Sequence, residues 1–260
     1  MVLENRPGAN GVIGAGVVAT AAPDGQTLLF GHVGPLTISP ATQVRMPYDT
    51  LRDFAPVTQV VSAATALVVR PGLPVRTVPE LLDYARAHPG VTYGSVGPGS
   101  TTHLAGEMLQ LMGRAPFTHV PYQGAAPVMT DLLGGRIDIA FLNVAGVLPQ
   151  IAAGGVRGIA VSTLRRAAAL PDLPTVSDTL PGFEVNSWYG VLAPAAVPQP
   201  IIDRLYREIV VILRTPEITR LMNQNGLDVE ATTPAEFRAK IEQDLRRWAE
   251  VVRAVGLRSE

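Results

Sequence analysis

The sequence predicts an α/β fold built on a parallel sheet. Three observations lead there. Short apolar or β-branched runs alternate with helical patterns of roughly 10–15 residues, Gly and Pro punctuate nearly every junction, and two Thr-x-x-Glu boxes stand where helices should open. Of 260 residues, 47% are hydrophobic and 17% charged, enough to fill a core and too apolar for a disordered chain.

The elements follow in order. Thr27–Val33 reads as a buried strand closed by Gly34-Pro35, and Val57–Val69 as a longer β-branched one that stops before Pro71-Gly72. Thr77 and Glu80 form a capping box for a helix reaching Ala87, ahead of Pro89-Gly90. The alternation then becomes regular: strand Val91–Ser95, helix Ser100–Met112, strand Thr118–Val120, helix Ala125–Leu133 and strand Ile137–Leu142. Helix Val144–Ala152 is expected despite Pro149, and Gly158–Thr163 is a further strand. Beyond it, Ile201, Ile202, Leu205, Ile209, Ile212 and Leu213 make one apolar helical face. A second box, Thr233 with Glu236, opens a long helix whose stripe is Phe237, Ile241, Leu245, Trp248, Val252 and Val255. Arg246, Arg247 and Glu250 take its wet side, so it reads as a cover packed across a sheet.

Composition removes several chemistries. With 21 basic and 22 acidic residues and no basic stripe, neither nucleic acid nor an anionic membrane is an expected partner. The absence of cysteine removes disulfides, thiolate catalysis and zinc-thiolate sites. Lys240 is the single lysine, which nearly excludes lysine phosphate cradles and Schiff bases. No apolar run is long enough to span a bilayer, and Glu4, Asn5 and Pro7 interrupt any export signal at the start of the sequence as written.

The segment richest in potential chemistry is 94–103, Gly-Ser-Val-Gly-Pro-Gly-Ser-Thr-Thr-His, between a strand and a helix. Free N–H groups at a helix start, with Ser and Thr hydroxyls beside them, favour an anion, and glycines let it approach the backbone. The same residues also suit an ordinary Gly-rich turn with Ser100 as N-cap, and both readings stand. No Lys-Ser/Thr follows the glycines and the third glycine of GxGxxG is missing, so a small anion is expected here and not a nucleotide. His32, His88, His103 and His119 show no metal-ligand spacing. His103 and Glu107 lie one helical turn apart, as an acid–base pair would, though a first-turn or helix-surface hydrogen bond is the simpler reading. Asp131 and Asp138 read as cap and solvated-loop residues. Ligands of open α/β sheets sit at carboxyl strand ends, which makes Asn143, Tyr122 and the stretch Gly31–Gly34 candidate pocket wall.

Four ordered segments carry a resemblance: Glu4–Gly11 (ENRPGANG), 94–107 (GSVGPGSTTHLAGE), 119–141 (HVPYQGAAPVMTDLLGGRIDIAF) and 187–194 (SWYGVLAP). From Leu3 to the C-terminal helix the chain resembles the Bug or TctC-like solute-binding proteins of the tripartite tricarboxylate transporter system. The resemblance implies a two-lobed periplasmic-binding-protein fold of type II, a Venus flytrap closing on a small organic acid. It implies crossovers near Val68–Gly72 and Ser187–Ala193, so that one lobe comprises residues 1–68 with 194–260 and the other 69–193. Carried over residue by residue, Ser95, Gly97, Gly99, Ser100 and Thr101 would bind a carboxylate through backbone amides, hydroxyls and water. Tyr122 and Asn143 would line that side, His32 with Gly34 would face them from the first lobe, and Trp188 would pack at the hinge. Near Asn143 many relatives carry an Asp that meets an amino group; its absence here points away from amino acids and toward di-, tri- or aromatic carboxylates. The implied setting is a periplasmic monomer that needs no cofactor and docks membrane transporter subunits.

Relatives place a strand, a Pro/Gly-rich loop and a helix before the ENRPGA motif, which here begins at residue 4. The expectation is therefore a shortened first lobe lacking one βα unit of about 40–50 residues. Two other functions remain open from the sequence: a small-molecule sensor using the same lobes, and a hydrolase or isomerase with His103 and Glu107 as acid and base.

Overall fold

The structure, a computed structural model, describes residues 2–43 and 45–257. In chain order it holds α1 (Val12–Ala19), β1 (Leu29–His32), a π-helical turn (Gly34–Ile38) running into α2 (Ser39–Thr42), α3 (Thr50–Asp53), β2 (Phe54–Val69), α4 (Val78–Ala87) and β3 (Thr92–Ser95). Then come α5 (Thr101–Gly113), β4 (Thr118–Pro121), α6 (Ala125–Leu133), β5 (Ile139–Asn143), α7 (Val144–Ala152) and β6 (Arg157–Val161). After these come β7 (Asn186–Pro194), α8 (Gln199–Leu213), α9 (Pro216–Gln224), β8 (Asp228–Val229) and α10 (Pro234–Val255). The chain clusters into two compact units: Met1–Ser62 with Trp188–Met222 and Val229–Glu260, and Ala63–Ser187 with Asn223–Asp228. It leaves the first unit midway along β2 and returns near the start of β7, where no turn residue marks the change. The divisions drawn from the sequence fall at the far ends of those strands.

In the second unit the strands run β4–β3–β5–β2–β6. β3 pairs parallel with β4 and with β5, while the later half of β2 is antiparallel to β5 and β6. The sheet is thus mixed, not purely parallel as the alternation predicts. β2 enters from the other unit without a crossover helix, so the rule that makes βαβ connections parallel does not govern it. α5, α6 and α7 pack on β5. Val128 and Leu132 of α6 and Val147 of α7 bury against Val68, Ala140, Leu142 and Val161 of the strands.

Two contacts fix this unit's geometry. Asp138, expected in a solvated loop, instead accepts from the Thr92 amide at 2.8 Å, the Thr92 hydroxyl at 3.0 Å and Arg70 Nε at 2.8 Å. It joins the strand ends of β2, β3 and β5. Although burial pushes its pKa up, these donors together hold it below the ordinary aspartate value. The other contact is between helix and sheet: at Gly106 of α5, a Cβ would stand 2.1 Å from Cε2 of the buried Tyr93 ring on β3. Only a glycine lets the helix lie that close.

In the first unit β1 pairs antiparallel with β7, placing Gly31 opposite Gly190, and β7 pairs in turn with β2. The α10 stripe is buried at Phe237, Ile241, Trp248 and Val252, as its spacing predicts. Asp244 lies buried on the same helix, accepting the Trp188 indole N–H at 2.7 Å and pairing with Lys240 Nζ at 3.1 Å. Trp188 also meets Phe237 edge-on at 5.2 Å, so its role in this unit is packing. Thr233 and Glu236 form the full reciprocal box; Glu80 instead turns past Thr77 to accept from the Arg76 amide. On α8, Val210 is buried and Ile212, placed by the sequence on the apolar face, is exposed. α1, whose VIGAGVVA is apolar on all sides, and the short α9 carry no predicted counterpart.

Two glycines of the second unit predict opposite outcomes for one chemical change. Gly106→Ala should cost about 1–3 kcal/mol, because the methyl group overlaps a rigid ring. Gly146→Ala, at an exposed α7 position with open space around the added Cβ, should gain about 0.5–1 kcal/mol. Urea unfolding of both variants reads the two signs. Asp138→Asn should lower stability at neutral pH by about 1–2 kcal/mol. Because the folded pKa of Asp138 is depressed, its contribution is present above the unfolded value and lost as pH falls through the folded one. The Asn variant should therefore show a shallower loss of stability in acid titration.

Candidate functional site

The parallel strands β3, β4 and β5 end at the same side of the second unit, with Ser95 opposite Pro121 across β3 and β4. This brings together the 95–101 loop, Tyr122 and Asn143, at carboxyl strand ends. The loop turns at Gly97 and Gly99, whose φ angles of 129° and 71° exclude side chains at little cost only for glycine. It leads into α5, capped by Ser100, whose hydroxyl accepts from the His103 amide at 3.2 Å and donates to the Gly97 carbonyl at 2.6 Å.

Most of the loop's amides are satisfied from within. Val96 donates to Thr102 Oγ1 at 3.0 Å, Gly97 to Ser95 Oγ at 3.2 Å, Gly99 to His103 Nδ1 at 3.0 Å and Ser100 to the Gly97 carbonyl at 3.2 Å. Pro98 has no N–H. The amides of Thr101 and Thr102, in the first turn of a 13-residue helix, are left without a partner among the described residues. Together with the helix dipole they make a compact pair of donors for negative charge. Segment 94–103 contains neither Lys nor Arg.

The expected site residues divide by environment. Ser95 is fully buried, its hydroxyl 2.7 Å from His119 Nε2, so it stands beneath the loop. Gly97 and Gly99 shape the turn, and Ser100 and Thr101 stand at the helix start. Tyr122 points its hydroxyl at Asp131 Oδ2, 2.8 Å away, and burial with that hydrogen bond pushes its pKa up to about 12. Asn143 is exposed at the N-cap of α7 and makes no capping bond. His32 and Gly34 belong to the first unit. There His32 Nδ1 accepts from the Gly34 amide at 3.0 Å, and a Cβ on Gly34 would stand 2.5 Å from the imidazole. Burial lowers the His32 pKa.

His103 and Glu107 are buried further than helix-surface residues would be. The His103 ring stacks on that of His119 at 4.0 Å, and His119 on Tyr93 at 4.8 Å. His103 Nδ1 holds the Gly99 amide while Nε2 lies 3.6 Å from Glu107 Oε1, which also accepts from the Tyr93 hydroxyl. Both imidazole nitrogens are engaged inside the protein, so the pair is not presented as an acid–base couple. The neighbouring His103 imidazole, with the Tyr93 hydroxyl, holds the Glu107 carboxyl below the usual glutamate range, and burial against it pushes Tyr93 up. Burial and the neighbouring His103 lower the His119 pKa from 6.5 to about 4, so stability that depends on neutral His119 is lost as pH falls through that window.

Sequence reasoning did not single out Thr102, His119 or Ser187. Ser187 Oγ donates to Thr101 Oγ1 at 3.3 Å across 86 positions, a pairing no local pattern signals. No group of His, Asp and Glu suited to a metal ion occurs among the described residues, and no described helix is long and apolar enough to cross a membrane.

A family model described as tripartite tricarboxylate transporter family receptor matches residues 1–257. The solved structure of R. palustris Rpa4515 with adipate is 33% identical, with a TM-score of 0.85 over 98% of this chain and 86% of that one. Periplasmic binding protein BugD is 33% identical, with a TM-score of 0.82 over 100% of this chain and 88% of its own. MatC from Rhodopseudomonas palustris with bound malate is 28% identical, with a TM-score of 0.78 over 94% and 85%. These matches establish an α/β fold of the periplasmic solute-binding type, in which the expected architecture is met. The chain belongs to the tripartite tricarboxylate transporter receptor family, the TctC or Bug solute-binding proteins.

Proposed function

We propose that this protein captures a small organic acid in the periplasm and hands it to the membrane subunits of a tripartite tricarboxylate transporter, acting as a binding protein and not an enzyme. One observation carries the reading: two unpartnered amides at the start of α5, in a loop whose other amides are already paired. One carboxylate fits that demand. The adipate and malate found with two of the similar structures make a dicarboxylate the first candidate.

Magnitudes call for more than these two amides. Two charge-assisted hydrogen bonds at about 1.5–3 kcal/mol each, with up to about 1 kcal/mol from the helix dipole, reach only about millimolar to ten-micromolar affinity. Tighter capture needs a second set of donors. Tyr122 and Asn143 are the further contacts proposed on the second unit, and His32 with Gly34 are those proposed on the first. The protein works as a monomer in this reading. The sensor alternative gains no observation of its own, and the buried His103–Glu107 pair counts against the hydrolase or isomerase.

A thermal-shift panel of adipate, malate, citrate, nicotinate and glutamate should show a concentration-dependent rise in Tm with at least one non-amino acid. A flat response to every acid would overturn the reading. Thr101→Pro removes one of the two free amides at the N1 position, where proline is welcome, and the extended Ser100 before it tolerates the ring. It should weaken acid binding about tenfold, whereas Thr101→Ala, which keeps the amide, should weaken it less. Equal affinity of Thr101→Pro and wild type in calorimetry would remove the helix start from the site.

A further inference from the structure

The second unit contains a titratable cluster that no step of ligand capture uses directly: Tyr93 and His103, which are buried, with Glu107 and His119, which are partly buried. It lies immediately beneath the 95–101 loop and meets that loop at two points. His103 Nδ1 accepts the Gly99 amide, and His119 Nε2 faces Ser95 Oγ, which itself accepts the Gly97 amide. Two of the loop's positive-φ glycines are therefore held through imidazoles.

The direction of the Gly99 bond sets a tautomer. Accepting an N–H at Nδ1 requires that nitrogen to be unprotonated, so the neutral ring carries its proton on Nε2. Nε2 faces the ionised Glu107, and that carboxylate favours the same tautomer. Glu107 is in turn held by the Tyr93 hydroxyl, and Tyr93 is clamped against Gly106. From β3 the order runs Tyr93, Glu107, His103, Gly99.

We propose that His103 is the positioning residue of the carboxylate loop, its Nε2–H tautomer imposed by Glu107, so that affinity for the acid depends on a ring that never touches it. The reason is economy of donors. With the Gly99 amide withdrawn into the protein, the ligand meets only the Thr101 and Thr102 amides, aimed along α5. Without the acceptor, the Gly99 amide is orphaned and the turn is free to reorient, which spreads the donors over several geometries and costs pre-organisation. The pairing rests on the carboxylate-capture reading for its effect on affinity, and on geometry alone for its effect on the loop.

The two can be measured apart. In the unliganded protein, hydrogen exchange at the Gly99 amide should accelerate at least tenfold in His103→Ala. It should recover most of its protection in His103→Asn, whose Oδ1 can take the place of Nδ1 as acceptor. Imidazole 15N spectra should show the Nε2–H tautomer in wild type and a shift toward Nδ1–H in Glu107→Gln. With an acid from the panel, His103→Ala and Glu107→Gln should bind about tenfold more weakly than wild type, and His103→Asn within about threefold of it. Because His103→Ala also leaves a cavity, Glu107→Gln, nearly isosteric, guards against a variant that simply fails to fold. Wild-type exchange at Gly99 in His103→Ala, or an Nδ1–H ring in wild type, would overturn the proposal. Unchanged affinity in both His103→Ala and Glu107→Gln would do the same. Loop protection that follows these expectations in a protein that binds no acid would leave His103 holding the turn and overturn only the capture reading.

Discussion

The close approach of α5 to β3 at Gly106 and Tyr93 is the contact from which the second unit's chemistry follows. With a methyl group at 106 the helix would have to lift, and everything on its inner face would lift with it. Held down, α5 delivers His103 and Glu107 to the Tyr93 ring and its hydroxyl, and the stacked His103–His119 pair fills the space beside them. The loop that joins strand to helix must then close over a fixed span, which it does with two left-handed glycines and a proline. A packing constraint thus becomes a constraint on where backbone donors point.

On the proposed reading, recognition of an anion without a cation is the consequence. The loop has no Lys or Arg, and its polar groups mostly answer one another. What remains outward is a small, oriented set of dipoles. Such a site selects by geometry more than by net charge, since a fully desolvated carboxylate must find every acceptor direction filled. It also responds less to salt than a lysine-lined groove would. The price is a demand for rigidity, because dipoles lose their advantage when they are free to turn.

The sheet-and-helix alternation was legible because the apolar runs and Gly/Pro junctions encode it locally. So was the 95–101 turn, whose Gly, Ser and Thr content has few other uses. The antiparallel placement of β2 was not, since a strand's neighbours are chosen by topology and its own residues read the same either way. His103 and Glu107 were visible as a helical pair, yet polar residues one turn apart ordinarily mean solvent. Their burial depends on Tyr93 and on His119, which sequence separation hides. Asp244 shows the same limit: a charge within an apolar stripe reads as an interruption until the Trp188 indole is seen against it. Ile212 erred the other way, apolar by type and exposed by the pitch of α8.

The chain's excursion through β2 and its return through β7 also orders events in time. The second unit is almost one continuous stretch, Ala63–Ser187, whereas the first is assembled from three separated pieces. Its early segment around Gly34–Thr42 packs on α10, some two hundred residues further along the chain. Loop-closure entropy and vectorial synthesis both favour the continuous unit as the earlier to fold. Strands β1 and the first half of β2 therefore emerge from the ribosome before their common partner β7 is made, and their edges stay open until it is. A chaperone that shields an emerging chain would meet this protein at β1 and the first half of β2.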